Sequence, residues 1–206
     1  MNAPIQIIPR IKSLTLENVG CWKYLRMNFS PGINVITGEP GALGKTSILK
    51  AILRGTWPSN DDGRLAPREG SEEGRIGIEF APRQTVLRRK RDRKRLPWTA
   101  TRDSHGQRML RLLRERIGAA GEGDALLFDE EVLKALDPPG VSKVFKMLKV
   151  SPAQTICVVP RRVDLGDLPE ARVFVCSWDR EKNRPEMSLK QRPAGMAGES
   201  RERNQD

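Results

Sequence analysis

A glycine-rich loop between an apolar run and a helix-forming segment is the feature that most restricts the fold of this chain. The apolar run is residues 33–37 (Ile-Asn-Val-Ile-Thr), the loop is residues 38–44, and residues 45–54 favour a helix. The backbone N–H groups of such a loop and the N-terminus of the helix together bind a polyphosphate. The residues predicted to form this site are Gly38, Gly41, Gly44, Lys45, Thr46 and Ser47.

The loop is one residue longer than the usual phosphate loop. Five residues, Glu39 to Leu43, separate Gly38 from Gly44, whereas the common pattern has four. A longer loop either bulges and keeps its N–H groups converging on an anion, or loses part of the anion site. The sequence leaves both alternatives open.

A second element with phosphate-binding chemistry precedes a predicted helix. Met109, Leu113 and Ile117 are spaced so that they fall on one helix face. Ser104 and Gly106 stand at the start of that helix, where a hydroxyl and an N–H group can bind a phosphate. Taken alone, these residues are better explained as an ordinary helix N-cap, because Asp or Ser before a helix is the commonest N-cap.

Two acidic residues follow a short apolar run that is typical of a buried strand. The run is residues 125–128 (Ala-Leu-Leu-Phe), and Asp129 and Glu130 come directly after it. In parallel sheets, ligands bind at the carboxyl ends of the strands. One carboxylate at such a position can hold Mg²⁺ through water, and its neighbour can take the proton of an attacking water molecule.

These three elements, in this order, resemble the ATP-binding-cassette ATPases of the SMC and RecF type that act in DNA repair. The resemblance extends from about residue 11 to about residue 191. Ser104, Gly106 and Gln107 match the signature loop of that group, the acidic pair matches its Walker B motif, and residues 135–137 (Ala-Leu-Asp) resemble its D-loop. Both the resemblance and the alternation of strands and helices imply an α/β P-loop NTPase, with a mostly parallel core sheet flanked by helices and an antiparallel β side sheet.

The resemblance implies that ATP and Mg²⁺ are the cofactors. Lys45 would bridge the β- and γ-phosphates, and Thr46 would ligate the Mg²⁺ ion. Asp129 would hold that ion through water. Glu130 would be the general base, so that Lys45 and Glu130 are the expected catalytic residues.

The resemblance also implies that two subunits enclose the nucleotides. Ser104 and Gly106 would cap the ATP of a facing subunit, while Gln107 and Asp137 would belong to the same nucleotide site. An ATP-dependent homodimer or heterodimer is therefore the expected assembly.

Two positions of the family pattern are different in this chain. The strand that follows the D-loop runs into Pro160, Arg161 and Arg162, where the family usually has a histidine that senses the γ-phosphate. The Q-loop glutamine of the family has no clear counterpart in the sequence, and Gln84 matches its position poorly. The chain is therefore expected to be an ATPase whose turnover is slow. The first alternative is a dimerisation switch that binds ATP without hydrolysing it.

The net charge of +11 indicates a polyanionic partner. The densest block begins at Arg88 and ends at Arg95, with seven positive charges in eight residues. These charges repel one another unless a partner neutralises them, which favours DNA, with Trp98 as a stacking residue. A charge-protected strand edge and a nuclear-import signal are the alternatives.

The organisation of the chain is compact. The second alternative is the ATPase subunit of a membrane transporter. The short interval between Lys45 and Ser104 disfavours it, because this interval lacks the helical subdomain of such ATPases. A P-loop kinase is also disfavoured, because it would not use the acidic pair. We expect one ATPase domain over residues 1–191 and a disordered polar tail over residues 192–206. The sequence has no long apolar run and no signal sequence, so a cytoplasmic location without a membrane partner is expected.

The cysteines predict no metal site and no disulfide framework. They number three, and their spacing does not fit a metal-binding motif. Cys157 and Cys176 lie in apolar runs, so we expect them to be buried and reduced.

Overall fold

The computed structural model describes residues 4–39, 44–56, 66–82, 104–179, 181 and 184–190. Gly41, Gln84, the basic block 88–95, Trp98 and the predicted tail lie outside the described residues. The elements are β1 (Ile5–Pro9), β2 (Ile11–Val19), β3 (Trp22–Asn28), β4 (Ile33–Gly38), α1 (Lys45–Thr56), β5 (Arg75–Phe80), α2 (His105–Ala119), β6 (Asp124–Phe128), α3 (Glu130–Lys134), α4 (Pro138–Lys149), β7 (Gln154–Val158), β8 (Arg172–Asp179) and β9 (Arg184–Lys190).

The core sheet has the strand order β1-β6-β7-β4-β8-β9. The four central strands are parallel to one another, and the edge strands β1 and β9 are antiparallel to their neighbours. Every residue of β7 is buried, as expected for a central strand with both faces covered. The predicted α/β fold with a mostly parallel core sheet is confirmed.

A smaller antiparallel sheet has the order β3-β2-β5. Leu14 and Leu16 of β2 are fully buried and, as alternate residues of one strand, face the core together. This confirms the predicted side sheet. The sequence pattern does not predict β1, which pairs with β6 in the core sheet, or the single-turn helix α3.

The hydrophobic residues form two clusters on opposite faces of the core sheet. One cluster lies between the core sheet, α1 and the side sheet, and the other packs α2 and α4 against the opposite face. Val35 and Ile36 are consecutive in β4 and belong to different clusters, because successive side chains of a strand point to opposite faces.

A buried glutamine joins the two sheets. Gln154, 1% exposed, lies at the start of β7. Its Nε2 donates to the main-chain oxygens of Ile11 and Ser30 at 2.8 and 2.7 Å, and its Oε1 accepts from the N–H of Ile11 at 2.9 Å. These bonds fix the side sheet, and with it the β2–β3 turn, relative to the core strands.

Candidate nucleotide-binding site

The predicted phosphate-loop lysine stands at the first position of α1, directly beyond the carboxyl end of the central strand β4. Lys45 is 6% exposed, and its Nζ donates to the main-chain oxygen of Glu39 at 2.5 Å. The ammonium group therefore folds back toward the residue that directly follows β4.

Gly44 closes the loop against the turn between β2 and β3. Its φ of +78° lies in the left-handed region, and an added Cβ would collide with the side chains of Cys21 and Trp22. The indole Nε1 of Trp22 donates to the main-chain oxygen of Gly44 at 3.3 Å. The β2–β3 turn and Trp22 thus contact the end of the loop at Gly44, and only glycine fits at residue 44.

The residues predicted for Mg²⁺ lie side by side. Thr46 Oγ1 is 3.4 Å from Asp129 Oδ2, although β6, which Asp129 follows, is separated from β4 by β7. The other oxygen of Asp129 accepts from the N–H of Glu130 at 2.7 Å and caps α3. A hydroxyl and a carboxylate are the oxygen ligands that Mg²⁺ prefers. Because no cluster of three or more His, Cys, Asp or Glu side chains occurs among the described residues, an ion here would complete its shell with water and substrate phosphates.

The predicted general base is half-buried and paired with a lysine. Glu130 Oε1 is 2.6 Å from Lys134 Nζ, one turn along α3, and Lys134 also binds Glu131 at 2.9 Å. The hydrogen bonds that Lys134 donates to Glu130 and Glu131 raise the pKa of Lys134. The carboxylate of Glu130 is thereby directed along its own helix.

The predicted signature residues form a helix cap. Ser104 Oγ accepts from the N–H of Gln107 at 3.2 Å, and Gln107 Oε1 accepts from the N–H of Ser104 at 2.9 Å. This is a capping box, which satisfies two donors at the N-terminus of α2. The N-cap interpretation is therefore correct, and both side chains remain exposed at the helix start.

The signature segment lies against the predicted D-loop. A Cβ added to Gly106 would be 2.8 Å from the main-chain oxygen of Ala135, so a larger residue would push the two segments apart. Asp137 caps α4 and accepts from the N–H of Gly140 at 2.9 Å. The starts of α2 and α4 thus form a second group of site residues.

The structure divides the predicted site into these two groups. Lys45, Thr46, Asp129 and Glu130 surround the phosphate loop, while the capping residues of α2 and α4 form the other group. Ser47 faces the β2–β3 turn, where a Cβ on Gly20 would be 3.3 Å from its hydroxyl oxygen. Within the described ranges, no hydrogen bond or ion pair between side chains connects the two groups.

Arg161 lies beside the phosphate loop, a contact that the sequence does not predict. Its Nη1 is 3.6 Å from the Oε1 of Glu39, the residue that directly follows β4. The two residues meet because Arg161 follows β7, which is the parallel neighbour of β4. The sequence shows only that Arg161 comes after the strand that follows the predicted D-loop.

The cysteines near the loop are inert thiols. Burial raises the pKa of Cys157 and of Cys176 to about 12, and it also raises the pKa of the half-buried Cys21. All three are free, and Cys157 and Cys176 are buried as predicted. At neutral pH these groups stay protonated and contribute packing instead of nucleophilic chemistry.

A parallel sheet with a loop lysine after one strand and an acidic pair after another defines the class of P-loop ATP-binding ATPases. Over residues 13–190 the chain matches the family described as the AAA domain, and it belongs to that family. A search of curated proteins found no match. Across the described residues, no helix is both long and apolar enough to cross a membrane.

A solved structure of an SMC head shares this fold. An SMC head bound to the C-winged helix domain of ScpA is similar with a TM-score of 0.51 at 13% identity, over 88% of this chain and 98% of that chain. The SMC head domain from Thermotoga maritima gives 0.47 at 14% identity, over 88% and 99% of the two chains. A bacterial Atm1-family ABC exporter with ATP bound gives 0.43 at 18% identity, over 84% of this chain and 38% of that chain. The resemblance to the SMC group is confirmed for the fold.

Proposed function

We propose that this protein is an ATPase that dimerises around ATP and acts on or near DNA, in repair, recombination or genome maintenance. The observation that carries the catalytic part is the contact between Thr46 and Asp129 beside the buried Lys45. This contact brings together, from two segments that are distant in sequence, the residue types that hold a metal-bound triphosphate in other phosphate-loop proteins.

The residues around the loop divide the chemistry of hydrolysis among them. Lys45 would exchange the main-chain oxygen of Glu39 for phosphate oxygens, and Thr46 and Asp129 would hold Mg²⁺. When bound, the ion would supply neutralisation of the phosphate charge. Glu130 takes the proton of the attacking water, for which its carboxylate must turn away from Lys134.

The second group of residues supports the dimeric part of the proposal. The starts of α2 and α4 lie next to each other, and Ser104, Gln107 and Asp137 are exposed there. Helix N-termini present free N–H groups and a positive dipole end, which favour an anion. In the proposed dimer, this surface meets the γ-phosphate bound at the loop of the other subunit, which is either a second copy or a related partner.

The DNA part of the proposal rests on charge. Besides the block from Arg88 to Arg95, a groove of about 1150 Å³ lies between β3 and the β8–β9 hairpin. Its basic residues are Lys23, Arg26, Arg68, Arg172 and Arg184, against the two acidic residues Glu17 and Glu186. Tyr24, which is 60% exposed, adds an aromatic surface to the same groove. An excess of cations with an exposed aromatic ring suits a phosphate backbone and its bases.

One experiment tests the parts of this proposal together. The size of the protein and its rate of ATP hydrolysis are measured with and without DNA, in the presence of Mg²⁺. We expect a dimer that forms only with ATP, and hydrolysis that DNA changes. A protein that stays monomeric with saturating ATP and Mg²⁺, with no partner protein able to change this, would refute the dimer.

A dimerisation switch without hydrolysis is the second candidate. The pairing of Glu130 with Lys134 favours it, because the ion pair directs the carboxylate along its own helix and away from an attacking water molecule. Comparing the rate of ATP turnover with ATP affinity separates the two candidates. The switch predicts tight binding of ATP and a turnover indistinguishable from that of the Glu130→Gln variant.

A further inference from the structure

A cavity of about 440 Å³ lies between the end of α3, the first two turns of α4 and the loop of residues 160–167 that follows β7. Its volume is within the range of small-molecule pockets, which is about 300 to 1,000 Å³. None of the residues that the structure places in the nucleotide-binding site lines it. The cavity is therefore a separate candidate binding site.

The interior of the cavity is apolar. Phe145 and Leu133 are buried and form part of its lining, and the half-buried side chains of Leu136, Val141 and Val163 lie around them. Water reaches part of these last three side chains. A ligand with an apolar group would displace that water, which favours binding.

Hydrogen bonds hold the walls of the cavity in place. The N–H of Val163 donates to the main-chain oxygen of Pro160 at 3.0 Å and closes a turn at the start of the loop. Ser142 Oγ donates to Asp167 Oδ2 at 2.8 Å and ties the end of the loop to α4. Because the walls are connected before any ligand arrives, binding does not require the loop to become ordered.

The rim of the cavity carries charges of both signs. Arg162, Asp164 and Asp167 line it, and all three are exposed. Asp164 accepts from the N–H of Gly166 at 2.8 Å, and Asp167 accepts from the hydroxyl of Ser142. Within the described part of the chain, neither carboxylate has a cationic partner, and Arg162 forms no ion pair. The rim therefore offers one cation and two anions to a ligand.

The other cation of the lining is already engaged. Lys134 Nζ lies 2.6 Å from Glu130 Oε1 and 2.9 Å from Glu131 Oε1, so two carboxylates neutralise its charge. Arg162 is therefore the group to which an anionic part of a ligand would bind.

We propose that this cavity binds a free amino acid with an apolar side chain. The apolar side chain occupies the interior, the α-carboxylate pairs with Arg162, and the α-ammonium group pairs with Asp164 and Asp167. A guanidinium group matches a carboxylate in a bidentate contact, and an ammonium group has three donors to share between two carboxylates. The site is independent of ATP and goes beyond the proposed function.

The two signs of charge select this ligand class over simpler ones. An apolar acid without an amine would bring its carboxylate close to two aspartates that it cannot neutralise. An apolar amine without an acid would leave Arg162 without a partner. A peptide carries its two terminal charges at opposite ends, whereas an amino acid carries both on one carbon atom, next to its apolar side chain.

The first test varies the ligand. L-phenylalanine is titrated into the full chain by calorimetry, beside N-acetyl-L-phenylalanine, which lacks the ammonium group, and L-phenylalanine amide, which lacks the carboxylate. We expect L-phenylalanine to bind at one site and each analogue to bind about ten- to a hundredfold more weakly, as for loss of a charged hydrogen bond.

The second test varies the protein. Arg162→Ala and Asp167→Asn should each weaken the binding of L-phenylalanine about ten- to a hundredfold. Asp167→Asn keeps an oxygen that accepts from Ser142, so the wall of the cavity is preserved. Val163→Trp should abolish binding, because the larger side chain fills the cavity. Lys146→Ala removes an exposed cation of α4 outside the cavity and should leave the affinity unchanged.

Three results would overturn this inference. The first is the absence of saturable binding of L-phenylalanine at millimolar concentrations. The second is binding that both Arg162→Ala and Asp167→Asn leave unchanged, which would place the ligand elsewhere. The third is an analogue that binds as tightly as L-phenylalanine, which would exclude an amino acid as the ligand class. Circular dichroism verifies the fold of each variant, and ATP affinity, measured in parallel, shows that failure at this cavity leaves the proposed function standing.

Discussion

Replacing Lys45 measures how strongly the affinity for ATP depends on one positive charge at the phosphate loop. The Lys45→Met variant keeps the length of the buried stem and removes the ammonium group. Lys45 Nζ makes one hydrogen bond, at 2.5 Å to the oxygen of Glu39. Loss of that bond costs about 1 kcal/mol of folding stability, which leaves the protein folded.

The expected cost to ATP binding is larger. A lysine that bridges two phosphates makes two charged hydrogen bonds, each contributing about 1.5 to 3 kcal/mol. Their loss should weaken ATP binding by about 3 kcal/mol or more, which corresponds to at least about a hundredfold in Kd. Calorimetry with ATP and Mg²⁺ measures the affinity, and thermal unfolding measures the stability. Lys50→Met, at an exposed position of the same helix, is the matched control.

The result can contradict the reasoning in two ways. If Lys45→Met binds ATP as tightly as the wild type does, the lengthened loop has moved the phosphate site away from α1. A variant that unfolds would mean that the contact with Glu39 is structural, and the affinity would then say nothing about phosphate binding.

Three further predictions follow from the same geometry. Glu130→Gln should accumulate an ATP-bound dimer on gel filtration, because it removes the base and leaves the phosphate contacts, whereas Ser104→Arg should prevent that dimer and spare ATP binding by the monomer. Gln154→Leu should lower the free energy of unfolding, measured in urea, by about 3 kcal/mol, because the three hydrogen bonds of the Gln154 side chain to Ile11 and Ser30 are lost. An effect below about 1 kcal/mol would show that other contacts hold the two sheets together. Replacing Arg172 and Arg184 by Ala should reduce the slope of log Kd for DNA against log salt by about 0.9 per lost phosphate contact, while equal slopes for variant and wild type would exclude the groove.

Local patterns in the sequence were sufficient to predict most of the fold. The helix that starts at Lys45 and the strand that ends before Asp129 are both found, because glycines and acidic residues mark the ends of the apolar runs that precede them. β1 was missed because Ile5–Pro9 is short, and its pairing with β6 depends on contacts far apart in the sequence. The helix α3 was missed because a single turn has too few residues to show a helical period.

The sequence predicts which residues belong to the site better than it predicts which side chains contact one another there. The acidic pair is recognisable from its position after β6, but the contact of Glu130 with Lys134 depends on which rotamer the glutamate adopts in α3. Likewise, Ser104 and Gln107 are recognisable as a helix start, and the structure adds that each satisfies the other. A sequence motif specifies the residue types of a site, whereas hydrogen-bond geometry specifies what each side chain is free to bind.

The strand order determines which residues become neighbours at the edge of the sheet, and the sequence motifs do not specify this order. A residue that follows a parallel strand lies at the carboxyl edge of the sheet whatever the order, but its neighbours there are set by the adjacent strands. With β7 between β6 and β4, Arg161 lies next to Glu39 on the side of the loop that faces Asp129. If β7 instead paired with the far side of β8, the same arginine would be remote from the loop and could not contact Glu39. The contact between Arg161 and Glu39 is therefore a consequence of the strand order.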